Sequence, residues 1–226
     1  EPIEKRGVLE TLRRIISRLN EIFRWAATEE LIEFNPADNL AQRFSKPKKQ
    51  NMPALPPTEL PRFLTVLKNA SVRMETRLLI EWQLLTWVRP GEAVRTRWAD
   101  IDTDNSMWNI PAEFMKMKKP HKVPLSKEAL RVIESMKSIS GNREWVFPSI
   151  KAPLNHMHEQ TANAAIIRMG FGGELVAHGM RSIARTAAEE TSKFRTEVLE
   201  AALTHSKKGN DSNLLIVFYV QIMPDD

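Results

Sequence analysis

A chain of 226 residues with a formal charge of +5 and a pI near 9.5 can bury one good core or divide into a smaller and a larger domain. The absence of cysteine excludes disulfides and thiolate metal sites, agrees with a reducing cytoplasm, and leaves chemistry to oxygen and nitrogen. No apolar run is long enough to span a bilayer and Glu1–Arg6 is unlike the start of a signal peptide, so the chain reads as soluble; its basic excess favours an acidic partner such as nucleic acid, although proteins that bind none often carry as much.

From Gly7 to Leu31 the residues Val8, Leu9, Leu12, Ile15, Ile16, Leu19, Ile22, Phe23 and Ala26 recur at helical spacing, with Arg13, Arg14, Arg18 and Arg24 on the opposite arc. This predicts a long amphipathic helix. One helix cannot bury its own stripe, and the segment after it is broken at Asn35-Pro36, so residues 1–45 read as part of a helical domain whose earlier helices lie outside the sequence. The arginines suit DNA and a solvated face equally. Residues 46–57, rich in proline and lysine and without periodicity, read as a semi-rigid linker whose Lys46, Lys48 and Lys49 either track a phosphate backbone or keep the linker solvated.

Residues 58–226 form the larger domain. Thr58 is the expected N-cap of a helix with Pro61 in its first turn, and Arg73 to Trp87 predicts a second, largely apolar and buried helix. That helix stops at Arg89-Pro90-Gly91-Glu92, a junction that presents a guanidinium at the edge of the core with Glu92 one turn on to orient it, or that is closed by an ordinary Arg–Glu pair. Ile101–Thr103, Met107–Ile110 and Lys122–Leu125 are strand candidates of a small three-stranded antiparallel sheet. Its second connection carries Lys116, Lys118, Lys119, His121 and Lys122, a density of charge suited to a nucleic-acid groove and also found at solvated hairpin tips.

Ser126 is expected to cap a helix through about Met136, ended by Gly141-Asn142, and Asn155 to Met169 to form another. His156 and His158 make an H-x-H pair without a companion carboxylate pattern, so they read as surface or capping residues and not as metal ligands. After the turn Gly170-Phe171-Gly172-Gly173 a helix is predicted from near His178, through Ser182 to Glu190. His178 and Arg181 then share one face, where the helix N-terminus and two cationic donors suit a phosphate oxygen; at that spacing a solvated face is the commoner outcome. Arg195–Leu203 predicts a further helix, 206–212 a polar loop and 213–222 an apolar tail with Tyr219, the only tyrosine of the chain.

Four stretches in order carry more than any one of them: Leu85-Thr86-Trp87-Val88-Arg89-Pro90-Gly91-Glu92, Met115 to Ser126, His178-Gly179-Met180-Arg181, and Leu203-Thr204-His205. In order and spacing they resemble the tyrosine recombinases, and in particular the integrases of prophages and genomic islands. The resemblance covers nearly the whole chain. It implies a mainly α fold with a small antiparallel β-sheet: a catalytic domain preceded by part of a helical core-binding domain, with an arm-binding domain outside these residues. It further implies Arg89 and Arg181 as paired phosphate-binding arginines, His178 and His205 completing their pocket, Glu92 in support, and Lys116 as general acid. Such residues stabilise the charge that develops on the non-bridging oxygens and protonate the departing 5′ oxygen. The 3′-phosphotyrosine intermediate conserves the bond energy, so no cofactor and no metal is implied.

The family's nucleophilic tyrosine follows the Leu-x-His motif by about ten residues; here Leu215 stands ten positions after His205, and Tyr219 fourteen. Two functions remain open on this reading. One is a strand-transfer enzyme that cuts and rejoins DNA through Tyr219 during integration and excision; the other is a DNA-binding remnant with an intact phosphate pocket and no cleavage. A histidine-based metal hydrolase is disfavoured by ligand spacing. The implied partners are double-stranded attachment sites contacted also through Lys46, Lys48, Lys49, Lys118, Lys119 and Lys122, three further copies of the chain in a tetramer, and DNA-bending and excision accessory proteins, with no membrane. The implied place is the bacterial cytoplasm, at the nucleoid.

Overall fold

The computed structural model describes residues 8–46 and 52–190 together with Leu203. The chain divides into two compact units, residues 1–51 and 52–226. In the first, helix α1 (Leu9–Thr28) follows the apolar period. Pairs Glu10–Arg14 and Arg18–Glu21, at 3.2 and 2.6 Å, lie along its polar side. Of its stripe only Ile16 is buried, whereas Ile22 and Trp25 stay more than half exposed. The break at Asn35-Pro36 is a turn tied back to the helix: Asn35 donates to the Asn20 side chain at 2.8 Å and accepts from the Ala37 N–H at 2.9 Å.

The second unit is mainly helical with one small sheet. Helix α2 (Leu60–Asn69) has Pro61 in its first turn as expected, but Thr58 does not cap it. Pro57 starts a 3₁₀ turn, Pro57–Glu59, closed by the Glu59 N–H on the Pro56 carbonyl at 3.0 Å, so Thr58 already lies inside helical backbone and no side chain caps α2. Helix α3 (Met74–Thr86) buries Leu78, Leu79, Ile80 and Trp82 and forms the centre of the core. It ends at Trp87, whose left-handed backbone (φ 58°) turns the chain toward the short helix α4 (Pro90–Ala93).

Strands β1 (Ile101–Asp102), β2 (Met107–Ile110) and β3 (His121–Pro124) form an antiparallel sheet in the order β1-β2-β3, with Trp108 opposite Ile101 and Val123. The third strand is placed one residue earlier than its pattern predicts, because His121 pairs with Ile110. Alternation along β2 buries Trp108 and Ile110 and exposes Asn109. Trp82, Trp108 and Phe147 pack with ring centroids 5.1 and 6.3 Å from Trp82, and the Trp82 indole N–H reaches the Thr96 hydroxyl at 3.1 Å.

Helix α5 (Lys127–Ser140) is capped by the Ser126 hydroxyl, which accepts from the Ala129 N–H at 3.0 Å. It runs a turn beyond Met136 because Ser140 is itself buried, its hydroxyl donating to the Val146 carbonyl at 2.7 Å. The helix expected over Asn155–Met169 is shorter: α6 covers Thr161–Ile166 and widens into a π turn, Ile167–Phe171. Residues 155–158 are instead held extended, by Ser149 on Asn155 (2.7 Å), Met157 on Phe147 (2.8 Å) and a bridge between Pro148 and His156. Helix α7 spans Gly179–Glu190. The expectations for Arg195–Leu203, 206–212 and 213–222 lie outside the described residues, Leu203 excepted.

Candidate active site

The site grows from the junction after α3. Arg89 is the residue before α4, and the Glu92 carboxylate accepts both from its backbone N–H and from its Nη1, each at 2.9 Å. Glu92 is only 3% exposed, so this carboxylate is committed to holding the guanidinium and is not open to solvent. A buried carboxylate with a fixed donor on either side is how a short Arg-Pro-Gly-Glu run presents an arginine in one geometry.

Arg181, one turn into α7, is buried at 5% exposure. Its Nη1 donates to the Trp87 carbonyl at 2.6 Å and its Nη2 to the Leu203 carbonyl at 2.5 Å. The left-handed turn at Trp87 therefore has a second consequence, the aiming of a carbonyl at Arg181. Burial, and after it the charge of Arg89, push the Arg181 guanidinium down to about 10, against the opposing pull of Glu92. It remains cationic at neutral pH. Two arginines ninety-two positions apart in sequence are thus brought within electrostatic reach of each other over a single buried carboxylate.

Beside Arg89 opens a cleft of about 510 Å³ lined by Arg89, Glu92, Lys116, Lys118 and His178 among others, with Arg181 buried and not part of the lining. His178 is exposed, immediately before α7, and its carbonyl accepts from the Arg181 N–H at 3.3 Å. Lys116 lies on the β2–β3 connection, beyond a 3₁₀ turn (Ala112–Phe114), where buried Met115 anchors the loop and Lys118 takes a left-handed conformation (φ 53°). Lys119 is exposed on the same loop and Lys122 on β3, neither lining the cleft. Lys46 is exposed at the end of the described part of the first unit. Lys48, Lys49, His205 and Tyr219 lie outside the described residues.

Arg95, Glu113, Glu159 and Gln160 also line the cleft. Arg95 donates to the Gly91 carbonyl at 3.0 Å. Its position one turn beyond Glu92 could have signalled it. Glu159 and Gln160 lie in the turn between the extended segment 155–158 and α6, so no helical period pointed to them. His156 and His158 turn away to structural duties: the His156 ring stacks edge-on against Trp145 (5.0 Å) and His158 Nδ1 accepts from the Gln160 N–H (3.1 Å).

A buried Arg89–Glu92–Arg181 cluster beside a cleft lined by Lys116 and His178 is the site of a tyrosine recombinase, the class that the family match and the integrase relatives of the chain show. The chain belongs to the phage integrase family, whose profile matches residues 53–210, while that of the phage integrase central domain matches residues 1–43. It is 48% identical over 209 residues to prophage integrase IntA of Escherichia coli K12, covering 92% of this chain and 50% of that protein. To the integrase of Enterobacteria phage P4 it is 34% identical over 222 residues, covering 92% and 51%. The chain thus spans about half the length of these relatives. The fold is similar to the Tn1549 transposon integrase solved with a circular intermediate DNA (TM-score 0.72, 14% identity, 92% of this chain and 74% of that one). It is also similar to a lambda integrase dimer bound to a COC′ core site (TM-score 0.71, 20% identity, 92% and 76%).

Proposed function

We propose that this chain is the core of a site-specific DNA recombinase that cleaves and rejoins strands through a 3′-phosphotyrosine, for integration and excision of a prophage or genomic island. The observation that carries the reading is the Arg89–Arg181 pair, two guanidinium groups within electrostatic reach of each other and of the buried Glu92 carboxylate, the first of them lining a cleft with Lys116 and His178. A phosphodiester between them supplies the missing negative charge, and more so as its non-bridging oxygens gain charge in the transition state. The Tyr219 oxygen attacks phosphorus, the bond from phosphorus to the 5′ oxygen breaks, and Lys116 gives that oxygen its proton. His178 and His205 donate to the same phosphate, and a 5′ hydroxyl of the second strand later displaces the tyrosine. Residues 1–45 belong to a helical core-binding domain, 46–57 link, and 58–226 catalyse, with Lys46, Lys48, Lys49, Lys118, Lys119 and Lys122 on the DNA backbone. The working assembly is a tetramer on paired attachment sites, helped by DNA-bending and excision proteins; an integrase of this fold, that of lambda, is known as a tetramer bound to a Holliday junction.

One observation favours the second reading, DNA binding without cleavage: Leu215 occupies the spacing after His205 at which the family's tyrosine is expected. Nicked suicide duplexes tiled across the ends of the mobile element that carries the gene decide between them. A covalent adduct with the native chain that is absent from Tyr219→Phe supports the enzyme. An adduct surviving in Tyr219→Phe removes Tyr219 as nucleophile, and retained binding with no adduct from either supports the second reading.

A further inference from the structure

The four residues that open the second unit, Met52–Leu55, do more than lead into it. The Pro53 carbonyl accepts from the Val176 N–H at 3.2 Å, two residues before His178. A methyl group at Gly179 would fall on that same carbonyl oxygen, far inside contact distance, and 3.2 Å from both Cα and Cβ of Ala54. Gly179 is not in a left-handed conformation, so the glycine is required by this backbone-on-backbone approach and not by its own dihedrals. Neither side can yield easily. Leu55 is buried at 6% exposure just after the contact, and Met180 at 1% just beyond Gly179. Met52 at the start of the segment lines the cleft together with His178 and Arg89.

We infer that Pro53 and Ala54 are positioning residues: their backbone is a strap across the N-terminus of α7 that sets where His178 stands in the cleft, and Gly179 is its seat. The strap grips the residues on either side of His178, Val176 by a hydrogen bond and Gly179 by contact, so the one exposed residue between them takes its position from the strap. Its neighbours Ala177, Gly179 and Met180 are buried, so the backbone that carries His178 is fixed by this packing. The inference rests on the proposed role of His178 at the phosphate.

The test uses the full chain and reads His178 directly by long-range ¹H–¹⁵N spectra of the imidazoles, free and with a duplex of attachment-site sequence. In Gly179→Ala the His178 signals of the free protein move while those of His121, His156 and His158 stay, and the DNA-induced shift of His178 is lost. Ala54→Val, a smaller wedge at the same contact, moves the His178 signals in the same direction by less; it also serves if Gly179→Ala does not fold. Ser182→Ala, exposed on the same helix, leaves them in place. Cleavage by Gly179→Ala falls roughly a hundredfold, the cost of an ångström-scale misplacement, with duplex affinity retained. His178 signals of both strap variants superimposable on the native ones overturn the inference. Native His178 signals that ignore DNA, with variant signals still displaced, leave the strap standing and overturn instead the role of His178 at the phosphate.

Discussion

Arg181 is buried deeply enough that its charge is costly, and it sits beside another arginine; what offsets this is two carbonyls, one buried carboxylate and whatever anion enters the cleft. An anion that binds only the folded protein stabilises it by mass action, by about 1.4 kcal/mol at ten times its dissociation constant. Inorganic phosphate is therefore expected to raise the melting temperature of the native chain, and to do so less in Arg89→Ala, with the general salt effect subtracted by the same titration in chloride. Arg181→Ala is expected to abolish cleavage yet keep most duplex affinity, because many other phosphate contacts carry binding. Filter binding and suicide-substrate cleavage measured side by side check this; affinity falling as far as cleavage would make Arg181 a general binding residue.

Helix boundaries separate those set by local chemistry from those set by neighbours. Ser126 caps α5 as its position before Lys127 predicts, since a hydroxyl there reaches the Ala129 N–H whatever surrounds it. Ser126→Ala is expected to lower unfolding stability by about 1 kcal/mol in urea titration. Thr58 has the same chemistry in the wrong backbone, inside a 3₁₀ turn begun by Pro57, so Thr58→Ala is expected to leave the midpoint nearly unchanged. Equal losses in the two variants would contradict the assignment. The shortened helix before the π turn has a similar cause. Apolar residues after Asn155 fit a helical period, yet Met157 is used to plug the core from an extended segment bonded to Phe147, a choice made by the partner strand and not by propensity.

On the larger scale, the β2–β3 connection extends cationic charge outward from the cleft: Lys116 and Lys118 line it, while Lys119 and Lys122 are exposed beside it. If those outer lysines lie on the phosphate backbone, each of Lys119→Ala and Lys122→Ala weakens binding to all duplexes alike and lowers the slope of log affinity against log salt by about 0.9. An unchanged slope removes the residue from the DNA surface. In the first unit, helix α1 leaves Ile22 and Trp25 more than half exposed.

Much of this molecule is legible in the order of its residues. The periods of α1, α3 and α5, the alternation through β2, the Ser126 cap and the Arg-Pro-Gly-Glu and His-Gly-Met-Arg junctions are local: each is decided by spacing or by a side chain reaching backbone within one turn. Two features were not legible, and both depend on residues distant in the chain. One is the bond from Arg181 to the Trp87 carbonyl, which needs a left-handed turn at a bulky residue that no propensity favours and that helix α7 makes worthwhile by supplying a buried cation for the freed carbonyl. The other is the reason for Gly179, which reads in sequence as one more permissive glycine at a helix start, and in three dimensions as the absence of a methyl group where the backbone of Pro53 must pass. Local chemistry decides which elements form; only packing decides which backbone atoms of remote segments must touch, because that contact has no side chain to announce it.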